Sequence, residues 1–241
     1  MKLNKIKSAV MILLLAFAVG AKAEEVREVS GTVYTSLIPD NVALKLSGDT
    51  KLVVNMDRVI TKIEGRTPNL LNPKFNLEIE GIDDHQLTVN QQYGATGILV
   101  NSLFCSARII IFSTGRCVYT NEDITFTNEL LAKSTNKENL SAITSIHGNI
   151  MMSGANFQVN APGVALHAGK DIKLKGQGNF FSGNKKPAIY SVSGNVTIQS
   201  GFFQMDGGIF ASGGAFNMIK GTLITDGGSN NPGIQAKGDI T

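Results

Sequence analysis

Ala188-Ile-Tyr-Ser-Val-Ser-Gly-Asn-Val196 is written five times in this chain, with variations. Its nearest copies are Ala142-Ile-Thr-Ser-Ile-His-Gly-Asn-Ile150 and Gly233-Ile-Gln-Ala-Lys-Gly-Asp-Ile240. Val164-Ala-Leu-His-Ala-Gly-Lys-Asp-Ile172 and Gly208-Ile-Phe-Ala-Ser-Gly-Gly-Ala-Phe216 are looser ones. The apolar residue after the turn recurs at Ile124, Ile150, Ile172, Val196, Phe216 and Ile240, with gaps of 26, 22, 24, 20 and 24 residues. A unit of that length is too short to bury a core alone, and stacks of such units are solenoids.

Each unit divides into three short strands. The first begins at the anchor and alternates apolar and free positions: Ile150-Met-Met152, Ile172-Lys-Leu174, Val196-Thr-Ile198, Phe216-Asn-Met218. The second reads Phe157-Gln-Val159, Phe181-Ser-Gly183, Phe203-Gln-Met205 and Leu223-Ile-Thr225, with Leu131 leading an earlier copy. The third is the Ile-x-Ala/Ser piece of the opening motif. A period of two marks a strand with one buried face, and stacking pairs each strand in parallel with its equivalents about 4.8 Å above and below. The expected fold is all-β: a parallel β-helix with three short strands per rung of 20–26 residues, regular over residues 97–241.

Residues 24–96 alternate well in places, as in Val42-Ala-Leu-Lys-Leu46 and Gln86-Leu-Thr-Val89, but without that phase. They are expected to form an irregular N-terminal β cap with imperfect rungs, since a bare solenoid end exposes unpaired strands. The sequence stops at Gly238-Asp-Ile-Thr241, at the opening of a fresh rung, which reads as a C-terminal truncation.

Residues 1–23 read as a secretory signal: Lys2, Lys5 and Lys7, an apolar run from Ala9 to Val19, then Ala21-Lys-Ala23. The run is too short for a spanning helix, and no other stretch has the length. The expected location is outside the cytoplasm, whether periplasmic, surface-bound or extracellular. Four of the 22 basic residues and none of the 19 acidic ones lie in the signal, leaving 18 positive and 19 negative charges. A near-neutral chain without a basic stripe gives no reason to expect a nucleic-acid partner. The only cysteines, Cys105 and Cys117, fall near inward positions of one rung. They read either as a disulfide or as two buried thiols.

Function on a solenoid lies in the outward positions. The second strand points Ala132, Gln158, Ser182, Gln204 and Ile224 outward, and the third Tyr119, Thr144, His167, Tyr190, Phe210 and Gln235. No carboxylate is among them, which argues against a lyase or hydrolase, whose chemistry needs placed acids. Tyr119, His167, Tyr190 and Phe210 form one column, which reads either as a flat platform for sugar rings or as aromatics stabilising their own strands. A second column, Ser134, Asn160, Asn184, Asp206 and Asp226, follows the second strand. It reads as a structural turn ladder, with calcium at Asp206 and Asp226 as the alternative. A third, Asp123, Asn149, Asp171, Asn195 and Asp239, precedes the first strand and reads as a ladder too. No catalytic constellation is evident.

The pattern Ala/Gly-Ile-x-Ala/Ser-x-Gly-Asn/Asp-Ile/Val-x-Ile resembles secreted bacterial right-handed parallel β-helix proteins. More narrowly it is similar to exported carbohydrate-binding β-helix domains of anaerobic bacteria. That resemblance implies a right-handed solenoid and a non-catalytic role, binding plant or host polysaccharide, sometimes with calcium. The expected function is therefore polysaccharide binding or surface adhesion. A β-helix lyase with acids drawn from residues 24–96, and a structural stalk for a missing C-terminal module, are the alternatives.

Overall fold

The computed structural model describes residues 24–66, 72–135, 138–183, 186–226 and 232–241, so the segment read as a signal lies outside it. Among the described residues twenty-three strands join in one sheet, and every strand pairing is parallel. The sheet winds into a β-solenoid of about nine turns. The one helical piece among the described residues is the single 3-10 turn Thr35–Leu37. No helix there is long and apolar enough to cross a membrane.

The anchors behave as their spacing predicts. Ile124, Ile150, Ile172, Val196 and Phe216 are successive register partners, and Ile240 bridges Phe216 as the next member. These strands make face I. The second strands make face II, and the Ile-x-Ala/Ser strands make face III. Inside, like residues stack in columns, as with Ile143, Leu166, Ile189 and Ile209 along face III. Each fully buried side chain of that size contributes roughly 1.5–3 kcal/mol.

Residues 24–96 belong to the same stack. Strand Val26–Tyr34 pairs with Ala43–Val54 across both face III and face I. Residues 43–45 then lead through Lys62–Glu64 to Ile98–Val100, and residues 50–54 through Leu77–Gly81 to Leu103–Cys105. Their irregularity lies in the turns.

The second strand departs from its expected register. Leu130, not Leu131, pairs with Phe157, so Ala132 is buried and Leu131 faces out. One rung later Gly178 pairs with Phe157 and Phe180 with Val159, so the strand is 178–181 and Ser182 follows it. The reason is a doubled apolar residue in each strand. Leu130-Leu131 and Phe180-Phe181 both offer a side chain to either face, and a one-residue slip exchanges the faces. Gly178 decides the second case, because the Phe180 ring packs over it where a Cβ would sit at 2.9 Å. Phe180 then stacks on Phe203 with centroids 6.2 Å apart.

Between faces I and II the upper rungs turn on glycine. Gly176, Gly201 and Gly221 have φ of 114°, 121° and 120°, and each lies over the glycine one rung below. A Cβ there would overlap the carbonyl oxygen beneath it. Left-handed backbone without a side chain lets strands Ile172–Phe181 and Val196–Asp206 run through the corner unbroken.

Candidate functional site

The outward column of face III changes character along its length. Its lower members are Glu28, Lys45, Glu64 and Leu99. Its upper members are Tyr119, Thr144, His167, Tyr190, Phe210 and Gln235, in consecutive register. The structure brings three of the four predicted aromatic positions together. His167 meets Tyr190 edge-on, with centroids 5.0 Å apart and planes at 65°. Tyr190 and Phe210 stack at 5.3 Å and 28°.

At that separation two rings cannot lie side by side in one plane. They overlap like shingles, in the offset arrangement that aromatic quadrupoles favour. The expected flat platform is therefore a stepped one. Tyr119 stands apart. Thr144, only 2% exposed, separates it from His167, and the Arg116 guanidinium covers its ring at 5.3 Å.

Beside the shingled rings lies an open groove of about 450 Å³. His167, Tyr190 and Phe210 line it together with Lys186, Pro187 and Gln235. The turn entering face III forms one wall, since Val164, Pro187 and Pro232 precede the strands that carry His167, Tyr190 and Gln235. Lys186 is the one charged side chain among the described residues of that lining. Burial first, and the nearby Arg116 charge second, push the His167 imidazole below its ordinary value of 6.5. His167 is thus a neutral ring at neutral pH, suited to stacking and single hydrogen bonds.

Sequence reasoning missed Lys186 and Arg116. Both sit in the turn that leads into the Ile-x-Ala/Ser strand, two or three residues before its first apolar member, and that offset was the available signal.

The predicted calcium pair is half of a site. Asp206 and Asp226 are register partners and both are exposed. Calcium takes roughly six to eight oxygens, and no group of three His, Cys, Asp or Glu side chains gathers among the described residues. The polar column expected around the pair does not form. Lys133, Asn160 and Phe181 precede Asp206 in register, while Ser134 is buried and its hydroxyl donates to the Gly115 carbonyl at 2.6 Å. Asn184 lies outside the described residues.

The other column does form a ladder. Asn149 donates its backbone N–H to Asp123 Oδ1 at 2.7 Å, Asp171 to Asn149 Oδ1 at 3.1 Å, and Asn195 to Asp171 Oδ1 at 2.8 Å. Alternating Asp and Asn keeps like charges off adjacent rungs, and Asn149 Nδ2 also donates to Asp123 at 3.0 Å.

Cys105 and Cys117 are free, buried thiols. Burial pushes the Cys105 thiol up to about 12 and raises Cys117 as well, so neither is a nucleophile at neutral pH. No family model, curated protein or solved structure matches this chain.

Proposed function

We propose that this chain is an exported, non-catalytic solenoid that binds polysaccharide, as a glycan-binding or adhesin-like protein, along the groove of face III. One observation carries the reading: three consecutive rungs place His167, Tyr190 and Phe210 beside a groove of about 450 Å³ that also offers Lys186 and Gln235. The offset of the rings leaves part of each ring face open to the C–H groups of sugars, while the amide and ammonium reach hydroxyls. Rungs are spaced about 4.8 Å apart, so an extended glycan lying along the axis meets one stacking group per rung. Tyr119, under Arg116, takes no part.

A lyase reading would draw its acids from the lower face I, where Lys51, Glu78 and Glu80 lie. There Lys51 is held between Glu80 at 2.7 Å and Glu78 at 3.1 Å, and those bonds raise its pKa. A general base needs the opposite shift.

The test is a panel of acidic and neutral polysaccharides offered with calcium and then with chelator. Tyr190→Ala/Phe210→Ala is expected to lose binding by at least about tenfold, while Tyr119→Ala keeps it. Binding that survives the double substitution overturns the proposal. Loss on chelation alone would bring Asp206 and Asp226 into the site.

A further inference from the structure

Face I carries a second cleft, near the opposite end of the stack. It encloses about 430 Å³ and is bounded by Asp49, Lys51, Glu78, Phe104, Asp123 and Thr125. Phe104 is the outward residue of strand Leu103–Cys105 and is 44% exposed. Glu78 is its register partner below and Thr125 its partner above. Its ring touches no other aromatic ring among the described residues, unlike the shingled rings of face III. An open ring inside a cleft, with polar side chains converging around it, is the composition of a ligand site.

The surrounding groups have hydrogen-bonding capacity to spare. Lys51 Nζ gives protons to Glu78 and Glu80 and keeps a third. Asp123 accepts from Asn149 through Oδ1, and its Oδ2 accepts nothing among the described residues. The Thr125 hydroxyl makes no hydrogen bond there either. Donors and acceptors thus surround one open ring face. The ammonium between Glu78 and Glu80 deters a cation, and Asp49, Glu78 and Asp123 deter an anion. An uncharged ligand with a C–H face and a rim of hydroxyls satisfies all of these groups at once.

We infer that this cleft is a second binding site, for a neutral pyranose, in which the sugar stacks on Phe104 and its hydroxyls reach Asp123, Thr125 and Lys51. It stands on its own residues and holds whether or not the groove of face III takes a glycan.

The test is titration of the isotope-labelled chain with cellohexaose, xylohexaose and mannohexaose, and with an oligogalacturonate of equal length. The readout is the backbone amide shifts of Glu78, Phe104 and Thr125. At least one neutral hexasaccharide is expected to move them. Phe104→Ala should weaken that binding by at least about tenfold, Phe104→Tyr should restore it, and Tyr190→Ala/Phe210→Ala should leave it intact. Phe104 points away from the core, so equal unfolding midpoints will show that the variants are folded. If no neutral hexasaccharide moves these amides, if Phe104→Ala binds as well as the unsubstituted chain, or if the oligogalacturonate binds the cleft more tightly, the inference fails. Binding lost only with Tyr190 and Phe210 would support the groove of face III and overturn the cleft.

Discussion

Residues 24–139 and 140–241 build one continuous sheet and dress it in opposite ways. The lower part carries 11 basic and 15 acidic residues, and every ion pair among the described residues lies there, from Lys45–Glu28 to Arg108–Glu129. The upper part has seven lysines, four aspartates, no arginine and no glutamate. It relies on stacked rings, a glycine corner and amide ladders instead. The inward columns pair through both parts without a break. Parallel stacking therefore constrains the inside and the corners, and leaves the outward chemistry free to differ between rungs. That freedom is what allows one solenoid to hold a stepped aromatic groove at one end and a mixed-charge cleft at the other.

The largest difference between the parts should appear in the core of face II. Its lower columns are aliphatic, with Leu87, Ile109 and Leu130 stacked in one and Val89, Ile111 and Ala132 in the next. The upper columns hold Phe157, Phe180 and Phe203, and the Phe180 ring also fills the space above Gly178. Phe180→Ala thus empties two side-chain positions and is expected to cost about 4 kcal/mol, against about 1 kcal/mol for Ile111→Val. Urea midpoints at unchanged slope would measure both. Equal costs would mean that the ring is not packed over Gly178.

The corner between faces I and II comes next. Asn128 holds the lower corner by side-chain bonds, donating to the Ser106 carbonyl at 3.1 Å and accepting from the Glu129 N–H at 2.8 Å. The upper corner has only backbone at Gly176, Gly201 and Gly221. Gly201→Ala forces a side chain into left-handed backbone and onto the Gly176 oxygen, and about 3 kcal/mol is the expected loss. Asn128→Ala removes two bonds at a half-exposed turn, for about 1 kcal/mol. If the order is reversed, the glycines are incidental to the bend.

The same contrast explains what was legible beforehand. The upper rungs carry a Gly-Asn or Gly-Asp turn before Ile150, Val196 and Ile240 and the variants Gly-Lys-Asp and Gly-Gly-Ala before Ile172 and Phe216, so their register can be counted from letters alone. The lower anchors, Thr50, Leu77, Leu103 and Ile124, are spaced 27, 26 and 21 residues apart, which is just as regular. Of the turns before them only Gly48-Asp49-Thr50 keeps the Gly-Asp pair, while Phe75-Asn76-Leu77 and Asn101-Ser102-Leu103 lack the glycine, so strands that stack perfectly well looked like a cap. The aromatic column was readable because its members occupy the middle of a fixed triplet. Its shingling was not, because ring tilt follows from side-chain packing. Phe104 went unremarked for a related reason. It falls where the repeat phase fits less well, and a lone outward phenylalanine carries no periodic signal. Arg116 and Lys186 come near the rings only through the path of a turn.

Acid should separate the two parts by the smallest margin. His167 lies in the upper groove among Arg116, Lys186 and two aromatic rings, with no carboxylate among the described residues of the lining. Its imidazole is held below the ordinary 6.5 by burial and by Arg116. The unfolded chain therefore takes up a proton near pH 6.5 that folded His167 refuses, and stability falls as pH drops through that value. In the lower part the Asp57 carboxyl is held below its ordinary 3.8, first by the Gln86 N–H and then by His85 at 3.3 Å. Its contribution is present above that value and is lost only as pH falls through the lowered one. Between pH 7 and pH 5 the strands Leu166–Ala168 and Ile189–Ser191 should thus lose hydrogen-exchange protection, after correction for intrinsic rate, while Gln86–Gln91 keeps its own. His167→Gln should abolish the difference, because glutamine takes up no proton in that range. Loosening of both parts together, or loosening that persists in the glutamine variant, would detach the effect from His167.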